Sequence, residues 1–170
     1  MSKLHNSAII LAAGNSTRFG KSDKLFATVG EKPLLYWALA AFNDHPQISE
    51  IILVLNSENR KKARKLVKDF VFSKVKHFVV GSDSRQNSLK NGLKKIKKAD
   101  LVVVHNGANP LPSAKEITRA MAMARKSGAC IVGHFLNSTL KEVSHKHIVR
   151  THDRRKIFAA ETPQVLRFDL

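Results

Sequence analysis

The hydrophobic positions of this chain fall into two kinds of run. Short aliphatic stretches occur at residues 8–11, 50–55, 76–80, 101–104 and 129–133. Each is too short for a helix and carries few polar interruptions, the pattern of strands buried on both faces. Between them, apolar residues recur at helical spacing. Leu34, Leu35, Ala38, Ala41 and Phe42 predict a helix from Pro33, at its first position, to about Phe42. The run Asn43-Asp44-His45-Pro46 ends it. Ala63, Leu66, Val67 and Phe70 predict a helix over 59–70, and Leu89, Leu93 and Ile96 one opened by residues 81–88. The segment 113–127 has a complete signature. Ser113 and Glu116 form a capping box, Ile117, Ala120, Met121 and Ala124 form the apolar stripe, and Gly128 is the stop.

Strands alternating with helices predict a Rossmann-like α/β fold, a three-layer αβα arrangement around a mainly parallel sheet. In such folds ligands bind beyond the carboxyl ends of the strands. That rule selects the loops at 12–24, 81–88 and 105–110, all rich in small polar residues. From 139 to 151 the pattern changes: 140–143 and 147–150 read as an antiparallel pair around Ser144-His145-Lys146. This predicts a projecting β-arm, either a device for association or a plain edge hairpin. The last residues, 165–170, read as the start of a further element.

A chain of 170 residues, 43% hydrophobic and 25% charged, suits one soluble globular domain over 1–170. No apolar run has the length of a membrane span, which sets membranes aside as partners. The single cysteine, Cys130, excludes an internal disulfide and fits a reducing cytoplasm. It sits in a strand pattern, as a core residue would. The eight histidines show no metal-ligand spacing on one helix. The net charge of +17 admits an anionic small-molecule substrate, nucleic acid, or a general basic bias. Much of it lies at Arg60, Lys61, Lys62, Arg64, Lys65 and Lys68, and at Lys90, Lys94, Lys95, Lys97 and Lys98. These alternate with apolar positions at helical spacing and have no aromatic residues between them. They read as solvated faces, and nucleic acid is not an expected partner.

The first loop carries the candidate chemistry. The strand at 8–11 enters Ala12-Ala13-Gly14-Asn15-Ser16-Thr17, followed by Arg18 and Lys24. Small residues let backbone N–H groups approach phosphate oxygens, and the two cations neutralise the remaining charge. It is not a Walker loop, since five residues rather than four separate Gly14 from Gly20-Lys21-Ser22. Nor is it G-x-G-x-x-G, because Ser16 replaces the second glycine.

Leu11-Ala12-Ala13-Gly14-x-Ser16-x-Arg18-Phe19-Gly20 with Lys24 resembles the signature loop of sugar-phosphate nucleotidyltransferases. The nearest branch is the cytidylyltransferases acting on 2-C-methyl-D-erythritol 4-phosphate. Three later segments agree in order: Gly81-x-Asp83-x-Arg85-x-x-Ser88, Thr139-x-Lys141, and Asp153-Arg154 followed by Thr162-Pro163-Gln164. The resemblance implies CTP held by Ala12, Ala13, Gly14, Ser82, Asp83, Ser88, Asn106 and Gly107. Arg18 and Lys24 become the catalytic cations. Asn109, Thr139, Arg154 and Thr162 face a sugar or polyol phosphate, Mg²⁺ is the cation, and the β-arm joins a homodimer. CMP would pass from CTP to the acceptor with release of pyrophosphate, in non-mevalonate isoprenoid precursor synthesis. Selecting cytosine needs an acceptor for its amino group and donors for its carbonyl, which Asp83 and the backbone near Ser82 suit.

The chain also departs from the pattern. Where the family has H-D-A-A-R-P, it reads His105-Asn106-Gly107-Ala108-Asn109-Pro110. Asn106 is a weak metal ligand, and Asn109 lacks the charged bidentate grip of arginine. Ser138 replaces an aspartate before Thr139, and the family's C-terminal part beyond Thr162-Pro163-Gln164 is expected to be missing. Three readings stay open: an active cytidylyltransferase, with ribitol 5-phosphate the alternative acceptor; a non-catalytic nucleotide-binding relative; and a basic interaction module.

Overall fold

The computed structural model describes residues 4–14 and 23–170. Strand β1 (Asn6–Ala12) leads to a short ribbon, β2 (Thr28–Val29) and β3 (Lys32–Pro33), and then to helix α1 (Leu34–Asn43). β4 (Glu50–Leu55), α2 (Arg60–Asp69), β5 (Val75–Val80), α3 (Arg85–Leu93) and β6 (Leu101–Asn106) complete the alternating part. α4 (Ala114–Ser127), β7 (Ala129–Phe135), the hairpin β8 (Leu140–Ser144) and β9 (His147–His152), and β10 (Phe158–Arg167) follow.

Six strands form one sheet in the order β5-β4-β1-β6-β10-β7. The β5-β4, β4-β1 and β1-β6 pairs are parallel, and β10 is antiparallel to both its neighbours. Alternate residues of the central strands serve opposite faces. Ala8, Ile10 and Ala12 join Leu35, Leu39, Phe42, Ala63, Leu66, Ile117 and Met121 in one core, under α1, α2 and α4. Ile9, Ile52, Val54, Val102 and Val104 form the other, against Leu89 and Leu93 of α3. This is the three-layer arrangement expected from fully aliphatic strands. The capping box is present: Glu116 N–H donates to Ser113 Oγ (3.2 Å), and Ser113 N–H donates to Glu116 Oε2 (2.9 Å). The Ser113 N–H bond first, then one from the Ser113 hydroxyl (2.8 Å), hold the Glu116 carboxyl below its ordinary pKa. All eleven cations of the two basic stretches are exposed.

Several boundaries differ from expectation. Pro33 ends β3 and precedes α1 rather than opening it. α3 stops at Leu93, and Ile96 is buried from the turn beyond. The hairpin turn has two residues, His145 and Lys146, both with positive φ, and Ser144 already pairs with His147. Residues 165–167 do not start an element; they finish the ten-residue β10. The run Glu161-Thr162-Pro163-Gln164 hid this strand, because proline and polar residues break the alternation. There the register against β7 shifts between Ala160 and Gln164.

Candidate functional site

The three selected loops leave the carboxyl ends of β1, β5 and β6, and glycines let them touch. A Cβ on Gly81 would lie 2.3 Å from Ala13 Cβ and 2.9 Å from Ser88 Oγ. A Cβ on Gly107 would lie 3.0 Å from Ala12 Cβ. The first loop is therefore packed against the second at Ala13 and against the third at Ala12. Gly81 and Gly107 serve here by lacking bulk rather than by an unusual φ. Gly14 is exposed, and among the described residues nothing lies within 4 Å of a Cβ built on it. Arg18, the expected catalytic cation, lies outside the described residues.

Lys24 begins a 3₁₀ turn, Lys24–Phe26, and is half-buried rather than on an open loop. Two side chains far apart in sequence hold that turn. Asp23 Oδ1 accepts from Leu25 N–H (2.9 Å), and the buried Asn59 donates its amide to Asp23 Oδ2. Asn59 precedes α2 without a side-chain cap bond, and its amide nitrogen is engaged with Asp23.

In the second loop, Ser88 is buried, and its hydroxyl accepts from Ser82 N–H (2.9 Å) while lying 3.3 Å from Ser82 O. Ser88 thus braces the loop, and the Ser82 N–H expected to face a base is already engaged with it. Asp83 is exposed. It accepts from Ser82 Oγ (2.7 Å) and Asn87 Nδ2 (3.3 Å). The Ser82 bond first, then those of Asn87 and the backbone, hold its carboxyl below the usual range, so it presents a formed acceptor. Ser84 caps α3 by accepting from Asn87 N–H (3.1 Å).

The third loop is pinned from below. His105 is fully buried beside Phe42, and its Nε2–H donates to Asn109 O (2.9 Å). Its Nδ1 has no hydrogen-bond partner among the described residues. Burial pushes its pKa down to about 4, so the ring is neutral near pH 7. Asn109 N–H also donates to Asn106 O (2.9 Å), so the backbone at 106–109 is held at both ends. Asn106 N–H donates to the buried Thr162 Oγ1 (3.4 Å), which brings β10 to the site.

Sequence reasoning quoted Arg85 but gave it no role. Its Nη2 donates to Asn106 Oδ1 (3.4 Å) and to Gln164 Oε1 (3.3 Å), tying the second loop, the third loop and β10 together. Nothing in local periodicity reveals such a contact. Thr139 and Arg154 sit elsewhere, at the base of the hairpin. Thr139 is exposed, and Arg154 donates to Asn137 O of its own chain.

A divalent cation is poorly served by the described residues. No three of His, Cys, Asp and Glu converge among them. Asp23 and Asp83 are hydrogen-bonded as above, and the one ligand-type oxygen of Asn106 faces a guanidinium. These residues do not fit an Mg²⁺ seat, which demands near-octahedral oxygen ligands. The arrangement fits an anion instead: small-residue loops with the cation Lys24. No helix among the described residues is long and apolar enough to cross a membrane.

Comparison with known proteins agrees. The family described as IspD, 2-C-methyl-D-erythritol 4-phosphate cytidylyltransferase, matches residues 7–170. A protein of that name from Dehalococcoides mccartyi is 38% identical over 164 residues, covering 96% of this chain and 72% of the relative. One from Alkaliphilus metalliredigens is 38% identical over 163 residues, covering 94% and 68%. Among solved structures, 4-diphosphocytidyl-2C-methyl-D-erythritol synthase from Anaerococcus prevotii superposes with a TM-score of 0.83 at 25% identity. That superposition covers 98% of this chain and 71% of the other.

Proposed function

The chain belongs to the 2-C-methyl-D-erythritol 4-phosphate cytidylyltransferase family, and we propose that it transfers CMP from CTP to 2-C-methyl-D-erythritol 4-phosphate with release of pyrophosphate. The product class is a cytidine diphosphate-linked polyol on the route to isoprenoid precursors. The observation that carries this is the convergence of the three loops, through Gly81 on Ala13 and Gly107 on Ala12, at the carboxyl ends of parallel strands. The residues act as one nucleotidyltransferase domain bearing an arm.

The reaction is an in-line displacement. An oxygen of the acceptor's phosphate attacks the α-phosphorus of CTP; the bond from that phosphorus to the bridging oxygen breaks, and pyrophosphate departs with the electron pair. Positioning and electrostatics carry such a step. The backbone of Ala12, Ala13 and Gly14 cradles phosphate oxygens, and Arg18 and Lys24 neutralise the charge that builds on them. Asp83 accepts from the cytosine amino group, while Ser88 fixes the loop that presents it. Gly107 lets the third loop lie close, and Asn106 faces the nucleotide. Asn109, Thr139, Arg154 and Thr162 belong to the acceptor side. A divalent cation carried by the nucleotide would supply further charge neutralisation; none of the described residues is assigned to hold it.

The hairpin supports a homodimer. It pairs only with itself, yet Val143, Ile148 and Val149 are 60%, 64% and 58% exposed. An isolated two-stranded ribbon is marginal in water, and covering those side chains with a second copy stabilises it.

Calorimetry of CTP against UTP tests the nucleotide assignment. CTP is expected to bind about tenfold or more tightly, since UTP presents a carbonyl to the Asp83 carboxylate. Equal affinities would remove cytosine selection from this loop.

A further inference from the structure

Position 106 is where this chain has asparagine in place of the aspartate its resemblance leads one to expect. What surrounds it decides the consequence. Arginine carries only donors, so Asn106 must turn Oδ1 toward Arg85 Nη2 and its amino group away. Gln164 Oε1 receives the same Nη2 and keeps the guanidinium over β10. Asn106 N–H is engaged with Thr162 Oγ1, and its carbonyl with Asn109 N–H. Oδ1 of Asn106 takes its one bond from Arg85, while its side-chain NH₂ makes no hydrogen bond among the described residues, and the side chain is exposed.

We propose that the carboxyl end of β6 receives an oxygen of the bound nucleotide on the Asn106 amide, with Arg85 as the positioning residue, and does not hold a divalent cation. This rests on the nucleotide-binding reading and makes it more specific. An amide NH₂ with a guanidinium behind it favours a phosphate or hydroxyl oxygen and repels Mg²⁺. An aspartate at 106 behaves differently: one carboxylate oxygen pairs with Arg85 and the second remains for a metal. The single exchange of O for NH₂ therefore inverts the preference of the position from cation to anion. Any divalent cation in the reaction then arrives on the nucleotide's phosphates and depends on them for its seat.

Two measurements on the whole chain test this. Electron paramagnetic resonance of Mn²⁺ added to the nucleotide-free protein reports binding as loss of the free-ion signal. Wild type is expected to leave that signal unchanged, as is Asn106→Ala. Calorimetry of CTP in EDTA is the second. Binding is expected to persist without metal and to weaken about tenfold in Asn106→Ala, the loss of one hydrogen bond to a charged group. Arg85→Gln should weaken it similarly, and Asn106→Ala/Arg85→Gln little further, because both act through one amide. Circular dichroism confirms that each variant is folded. Mn²⁺ captured by wild type and released by Asn106→Ala would overturn the inference while leaving the nucleotide site standing. Absence of CTP binding both in EDTA and with Mg²⁺ would overturn the nucleotide-binding reading itself, and this inference with it.

Discussion

His105 is the residue whose chemistry most directly links the core to the site. It stands fully buried, gives Nε2–H to Asn109 O and leaves Nδ1 without a partner among the described residues. Its pKa of about 4 lies below the unfolded value of 6.5. Between those values the unfolded chain binds the extra proton, so the stability His105 contributes is complete above about pH 6.5. It is lost as pH falls toward 4. At about 1.4 kcal/mol per unit, the loss is about 3 kcal/mol. Urea unfolding from pH 7 to 4 should show this slope, and His105→Phe should flatten it; an unchanged slope in the variant would assign the acid sensitivity to other groups. In the sequence His105 opened the loop over 105–110 and matched the family's H-D-A-A-R-P run; its inclusion in β6 was not legible. Its burial follows from its place between β1 and β10, which no local pattern records. The same holds for Asn59, the first residue of the helix predicted over 59–70, which holds Asp23 across 36 positions of chain.

At the scale of elements, the strands and helices were legible because their periods are strong. Ile9 and Ile10 serve opposite faces, and the stripe of α4 with its capping box sits where Ser113 and Glu116 put it. β10 was not legible, since Pro163 and three polar neighbours interrupt it. Yet β10 brings Thr162 and Gln164 to the nucleotide loops, so the least readable strand completes the site. The packing of the loops rests on missing Cβ atoms. Gly81→Ala forces a contact of 2.3 Å with Ala13 Cβ, which the first loop can relieve only by moving. We expect a loss of about 1–3 kcal/mol of stability, with weakened CTP binding alongside. Urea midpoints and calorimetry check both; wild-type values in each would mean that the two loops are not in register as described.

For the molecule as a whole, the cations of the two basic stretches are exposed, those at 94–98 beyond the end of α3, and the hairpin carries three exposed apolar residues, Val143, Ile148 and Val149. If that hairpin joins two copies, Val149→Asp should shift the chain from dimer to monomer in sedimentation without altering its circular dichroism. A monomeric wild type would remove the arm from the account. The motif order along the sequence pointed to the family, and the fold brings the loops that carry it together. The decisive measurement is pyrophosphate release by the purified chain with CTP, Mg²⁺ and 2-C-methyl-D-erythritol 4-phosphate, with ribitol 5-phosphate as the comparison acceptor and Lys24→Ala as the control. The account predicts release with the methylerythritol substrate, little with ribitol phosphate, and a fall of about a hundredfold or more in Lys24→Ala, the scale of losing one charge-stabilising group. CTP binding without release from either acceptor would contradict it and make this chain a nucleotide-binding relative that does not catalyse the transfer.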